Sequence, residues 1–245
     1  MIEPQTDAPE PPRDEPWYRR RTTVAGIAAV LALSVAAGFA WRPHDRPPLR
    51  LGGLRGIDVS HYQGAINWSD VASGGISFAY IKATEGTNFV DPRFAQNWAG
   101  AEAAGLRRGA YHFFTLCSPG PDQATNFLNT VPVESDSLPP ALDLELSGNC
   151  SARPPASSVE AEIGAYLQAV EAATGQQVVI YVRDDFEKRY PVRDWFPRPQ
   201  WRSGPHRRST NADWAIWQLG SGPVSGISGH VDLDVMRSPS TPSPS

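Results

Sequence analysis

Between Gly56 and Val182 short apolar runs alternate with helix-forming stretches, and this alternation restricts the fold more than any other feature. The runs are 56–60 (GIDVS), 78–83 (FAYIKA), 108–114 (RGAYHFF), 140–146 (PALDLEL) and 178–182 (VVIYV). The intervening stretches predict a short helix entered at Asn67 and helices over 91–104, from Gln123 to Asn129, and over 157–174. Asp91, Pro92 and Gly105 mark the second of these, and Gly175 stops the last. A capping side chain satisfies free N–H groups at a helix start, Pro is tolerated at the first helical position, and Gly takes the left-handed turn at the end. Each helix carries the chain back across the sheet, so the strands run parallel. The chain therefore predicts an α/β domain over 55–237, as a parallel sheet or barrel. After Val182 the pattern changes. Residues 183–211 are irregular, whereas 213–219 (DWAIWQL) and 230–236 (HVDLDVM) read as strands without clear helices between them.

The run 140–146 also carries chemistry. A strand has a period of two, so Asp143 and Glu145 share one face while Leu142, Leu144 and Leu146 share the other. Neighbouring carboxylates repel and resist desolvation, which a purely structural strand avoids. An exposed edge strand with a wet acidic face is one explanation. The other is a pair of acids with separated pKa values, one kept protonated and one ionised, as glycoside cleavage requires. Asp58 and Asp232 occupy equivalent places within or at the ends of other strands. In a parallel barrel the C-terminal strand ends converge, so four acids distant in sequence meet at one site.

Composition removes several alternatives. A formal net charge of -4 over 245 residues offers no basic field for nucleic acid. Eight Trp and seven Tyr fit a carbohydrate or peptide cleft as well as a core. Cys117 and Cys150 are too few for a disulfide scaffold and lack metal-site spacing. No phosphate loop is found, so neither cofactor nor metal is expected.

Residues 1–21 are rich in Pro, acids and Arg and are expected to be a disordered cytoplasmic segment. Residues 22–41 (TTVAGIAAVLALSVAAGFAW) are uncharged for about 20 positions, roughly 30 Å of helix, enough to span a bilayer. Arg19, Arg20 and Arg21 precede them, which predicts a single-pass signal anchor with the N-terminus inside. Small residues near Ala36 and Ala40 suit the competing case, secretion after signal cleavage. Residues 42–54 are a Pro- and Gly-containing linker, and 238–245 a disordered tail.

The motifs GIDVSHYQG (56–64), FAYIKATEG (78–86), GAYHFF (109–114), LPPALDLE (138–145), Trp217-Gln218 and Val231-Asp232-Leu233 resemble, in matching order, glycoside hydrolase family 25, the Chalaropsis-type lysozymes. The resemblance implies a flattened, irregular TIM-like (β/α)5(β)3 barrel. It also implies a muramidase that cleaves the β-1,4 bond between N-acetylmuramic acid and N-acetylglucosamine in peptidoglycan, and the protein is expected to be a monomer. It assigns Glu145 as general acid and Asp143 as the carboxylate stabilising the charged intermediate, with Asp58 and Asp232 as further cleft acids. Tyr62, Tyr111, Tyr181 and Trp217 become candidate sugar contacts, with Gln218 beside them. Lys82 and Glu85 suit a local ion pair, and His112 a core histidine. Two places depart from the family pattern: Leu219 stands where Tyr is usual, and 195–208 fit poorly, with only 199–202 suggesting a strand. A peptidoglycan-binding protein without turnover and a phage-type lysis enzyme are the rival functions. With the domain exported, Cys117 and Cys150, following adjacent strands, are expected to form a disulfide.

Overall fold

The computed structural model describes residues 53–204 and 214–237. The strands are β1 (Gly53–Val59), β2 (Phe78–Glu85), β3 (Phe89–Val90), β4 (Arg107–Phe113), β5 (Ala141–Leu144), β6 (Val179–Val182), β7 (Gln200–Ser203), β8 (Ile216–Gly222) and β9 (Val231–Arg237). The helices are α1 (Trp68–Ser73), α2 (Phe94–Ala103), α3 (Gly120–Thr130), α4 (Ala156–Thr174), α5 (Asp184–Arg189) and α6 (Val192–Trp195). Hydrogen bonding runs in the order β1-β9-β8-β7-β6-β5-β4-β2, and β2 pairs back onto β1. These eight strands close a barrel, and β3 adds an antiparallel flap to β2. All pairings around the ring are parallel except those of β9. The short β8–β9 connection holds no crossover helix, so the chain can only turn back antiparallel.

Strand alternation sorts the side chains into two layers. Ile57 and Val59 of β1, Ala79 and Ile81 of β2, Leu142 and Leu144 of β5, and Ile180 and Val182 of β6 pack outward with the helices in the main core. Phe78, Tyr80, Ala141, Val179, Tyr181, Trp201 and Ile216 point inward and fill the barrel. Two glycines make that plug fit. A Cβ on Gly56 would lie 2.2 Å from the Phe78 ring, and one on Gly109 would lie 2.5 Å from the Tyr80 ring. The aromatic floor closes the lower barrel, leaving a cavity above it.

The predicted helices form with shifted ends. Asn67 caps α1, its Oδ1 accepting the Asp70 N–H. Asp91 accepts the Arg93 N–H at 2.9 Å, but regular helix begins only at Phe94. Helix α4 ends at Gly175, which takes φ 68° as expected. The predicted linker extends too far: Gly53 and Leu54 already pair with Arg237 and Met236. The stretch after Val182 is more ordered than its Arg- and Pro-rich composition suggests. Buried Phe186, Tyr190 and Val192 anchor α5 and α6, and β7 forms where 199–202 hinted at a strand. His112 is a core histidine. It is fully buried between Thr84 Oγ1 at 2.7 Å and Gln123 Oε1 at 3.1 Å, and burial lowers its pKa to about 4. The Cys117–Cys150 disulfide is formed. The expected segments 1–21, 22–41 and 238–245 lie outside the described residues. Among the described residues, no helix is long and apolar enough to cross a membrane.

Candidate active site

Above the aromatic floor, at the end where the parallel strands finish, lies a cavity of about 450 Å³. Alternation on β5 turns Asp143 inward. Glu145, the first residue past that strand, stands above it. Asp58 arrives from β1, and the antiparallel register sets Asp232 of β9 directly opposite. The four acids thus share one cavity, together with Tyr62, Tyr111, Tyr181 and Gln218. Tyr62 stands at the rim, 81% exposed, with its ring 4.1 Å from that of His61.

Trp217 is the exception among the expected sugar contacts. It follows Ile216 and precedes Gln218, both on the barrel's inner side, so it must face outward. It is buried near Trp214, 6.0 Å between ring centroids, and its indole N–H donates to the Gly204 carbonyl at 3.4 Å. It does not line the cavity.

Polar links fix the acids. Gln218 Nε2 donates to Asp58 Oδ2 at 3.1 Å, and the Tyr181 hydroxyl donates to Gln218 Oε1 at 3.0 Å. Asn149 ties the loop after β5: its Nδ2 donates to the carbonyls of Glu145 (3.0 Å) and Phe114 (2.7 Å), and its Oδ1 accepts the Leu116 N–H at 2.9 Å. The neighbouring disulfide joins the same two loops covalently. Lys82 forms the expected ion pair with Glu85 at 2.6 Å, its Nζ 4.9 Å above the Phe113 ring.

The electrostatics are those of crowded acids in poor contact with water. Burial, then the Asp232 charge, raises Asp58 to about 7, against hydrogen bonds from Gln218 and Asp234. Burial, then Glu145 and Asp58, push Asp143 well above the carboxylate range, with Lys82 and Arg183 opposing. Burial also raises Glu145, while Arg183, with Nε 3.8 Å from Oε2, pulls it back. Burial raises Asp232 in the same way, again against Arg183. Asp143 Oδ1 is buried with no hydrogen-bond partner among the described residues.

Acids whose pKa values are raised to different extents by burial and by one another, above an aromatic floor, are equipment for protonating a leaving oxygen and stabilising a cation. Residues 57–227 match the profile of glycosyl hydrolases family 25. The chain belongs to that family. It is 37% identical over 215 residues to lysozyme M1 of Streptomyces globisporus, covering 81% of this chain and 73% of that protein. The bacterial lysozyme of Streptomyces coelicolor superposes with TM-score 0.69 at 35% identity, over 78% of this chain and 94% of that one. A family 25 glycosyl hydrolase from Bacillus anthracis gives 0.71 at 31% identity, over 78% and 92%.

Three residues at this family 25 site were not picked out from the sequence. Trp201 lines the cavity from β7, a strand read only as a hint. Arg183 follows the last residue of β6, where the recognisable pattern ended. Asp234 shares the inward face of β9 with Asp232. The i, i+2 spacing in VDLD was the available signal, as it was for Asp143 and Glu145.

A second hollow of about 360 Å³ adjoins the cavity at Tyr62, with His61, Glu85 and Phe89 on its walls. Asp91 fixes His61, accepting its backbone N–H at 2.9 Å and lying 2.8 Å from Nδ1. Phe89 is 37% exposed, and its ring lies 5.9 Å from that of His61.

Proposed function

We propose that the chain is a lysozyme-type muramidase that hydrolyses the β-1,4 bond between N-acetylmuramic acid and N-acetylglucosamine in bacterial peptidoglycan. The observation that carries this is the convergence of Asp143 and Glu145 with Asp58 and Asp232 in one cavity of a family 25 domain. The similarity to lysozyme M1 supports the choice of substrate.

Glu145 acts as general acid. Burial makes it hold its proton to higher pH than a free Glu, and Arg183 opposes that rise. Asp143 takes the opposite role. Its Oδ1 has no donor among the described residues, and burial disfavours its ionisation. An acetamido N–H of the bound sugar supplies that donor and favours the carboxylate, so substrate binding charges Asp143 while Glu145 remains protonated. The acetamido oxygen, oriented in this way, attacks the anomeric carbon as Glu145 protonates the departing oxygen. Water then opens the cyclic intermediate as the Glu145 carboxylate accepts its proton, so the configuration is retained. An inverted anomer in the first product, read by NMR, would exclude this course.

Tyr181 and Gln218 hold Asp58 against the sugar, and the hollow beside Tyr62 and Phe89 receives further residues of the glycan. The domain works outside the cytoplasmic membrane, tethered through residues 22–41. The Cys117–Cys150 disulfide supports export, because such bonds persist in oxidising compartments.

Digestion of purified peptidoglycan by the parent and by Glu145→Gln tests the assignment. Muramic-acid reducing ends should appear by mass spectrometry with the parent and vanish with the variant. A parent that sediments with the wall yet releases nothing would show a binding protein instead.

A further inference from the structure

Asp234 lies in the middle of β9, 1% exposed, facing into the barrel. Its Oδ1 accepts the Trp201 indole N–H at 3.0 Å. Its Oδ2 finds no N–H or hydroxyl donor among the described residues, and the register that pairs Gly56 with Asp234 and Asp58 with Asp232 makes the Asp58 carboxyl its diagonal cross-strand neighbour on the same inward face. Two buried carboxylates in contact cannot both be charged, because neither supplies a donor and each repels the other. One proton between them turns that repulsion into an O–H···O bond and accounts for the otherwise orphaned oxygen.

The surroundings decide which acid carries the proton. Asp58 opens onto the cavity and accepts a hydrogen bond from Gln218 Nε2, both of which make it the acid of the pair that ionises first, at about pH 7. Asp234 is sealed, and its single N–H donor is a neutral indole. The ionisable groups facing the pair among the described residues are Asp232 on the same strand, Tyr80 on β2, Tyr111 on β4, Asp143 and Glu145 from β5, and Tyr181 on β6. The acids among them add negative charge, which disfavours a second anion further. On β8, Asp234 is paired in register with Gln218, which does not titrate.

We propose that Asp234 is a permanently neutral carboxylic acid, a positioning residue that donates from Oδ2 to Asp58 and holds Asp58 as an oriented acceptor in the cavity. Trp201 fixes this arrangement by occupying Oδ1, which leaves the proton no other place. The directions of the shifts agree: the Asp58–Asp234 bond lowers Asp58 and raises Asp234. The catalytic consequence rests on the cavity being the muramidase site, whereas the location of the proton does not.

The test therefore has two independent readouts. In protein labelled with 13C at the aspartate carboxyls, one resonance should keep the neutral-acid shift up to pH 8, survive in Asp143→Asn and be missing from Asp234→Asn. If every aspartate that depends on Asp234 becomes a carboxylate below pH 8, the proposal is overturned, whether or not peptidoglycan is cleaved. In activity, Asp234→Asn should keep near-parental kcat/KM with both limbs of the pH profile in place, since an amide also donates to Asp58 and accepts from Trp201. Asp234→Ala removes that donor and should lose about tenfold or more. A limb displaced to lower pH by about one unit in Asp234→Asn would mean a negative charge had been removed, and would also overturn the proposal. A parent without turnover would defeat the muramidase assignment alone and leave the NMR result to decide where the proton lies.

Discussion

Asp58→Asn should stabilise the fold at neutral pH while impairing turnover, and the gain should depend on pH in a defined sense. An unfolded Asp loses its proton near 3.8, whereas Asp58 in the barrel keeps its proton up to about 7. Between these values the folded state binds more protons than the unfolded state, so stability falls as pH rises through the window and the loss is complete above about 7. Carried from 3.8 to about 7, the loss amounts to ~4 kcal/mol. Asp58 lines the open cavity and accepts from Gln218, and both reduce the net benefit of substitution to about 2 kcal/mol. Urea unfolding of parent and variant at pH 4, 6 and 8 should show no difference at the lowest pH and the full ~2 kcal/mol gain at the highest, with unchanged m-values. A variant no more stable than the parent at pH 8 would refute the reasoning. So would an advantage of the same size at every pH, because the gain must come from one carboxyl's proton.

Arg183→Met removes the cation 3.8 Å from Glu145, so the general acid should hold its proton to higher pH. The alkaline limb of kcat/KM should move up by about half a unit to one unit, and an unmoved limb would assign Arg183 to substrate contact only. Replacing Cys117 and Cys150 by Ser opens a loop with a sequence separation of 33. It should cost about 3 kcal/mol in calorimetry, and kcat should fall as the Asn149 loop behind Glu145 loosens. Phe89→Ala should raise KM for long glycan strands and leave the shortest cleavable fragment unaffected; equal losses on both would remove the hollow from the binding site. Glu145→Gln should lower kcat by about a thousandfold with KM little changed, whereas a mainly KM effect would assign Glu145 to binding.

What was legible in this sequence was whatever repeats along a strand or marks a helix end. The period of two in Leu142-Asp143-Leu144-Glu145 placed two acids on one face, and the barrel sets both in the cavity. Asn67 and Gly175 act by backbone geometry that depends on neighbours in sequence, and both sit where such rules put them. Trp217 shows the limit. The motif Trp217-Gln218 marks a site, but only one of two consecutive strand residues can face it, and Gln218 takes that place.

Asp234 and Trp201 were hidden for a different reason. Their significance lies in a contact between strands that share no local pattern, 33 residues apart. Taken alone, Asp234 is an acid in an apolar strand, which burial would penalise heavily. Only closure of the ring, with β9 antiparallel to both neighbours, brings it to Asp58 and under the indole of β7. Antiparallel insertion also lets β9 face Asp232 across to Asp58 and carry Asp234 two residues deeper, towards the aromatic floor. One strand therefore supplies an acid open to the substrate and another sealed beneath it. The same residue type does two jobs, and depth in the barrel separates them.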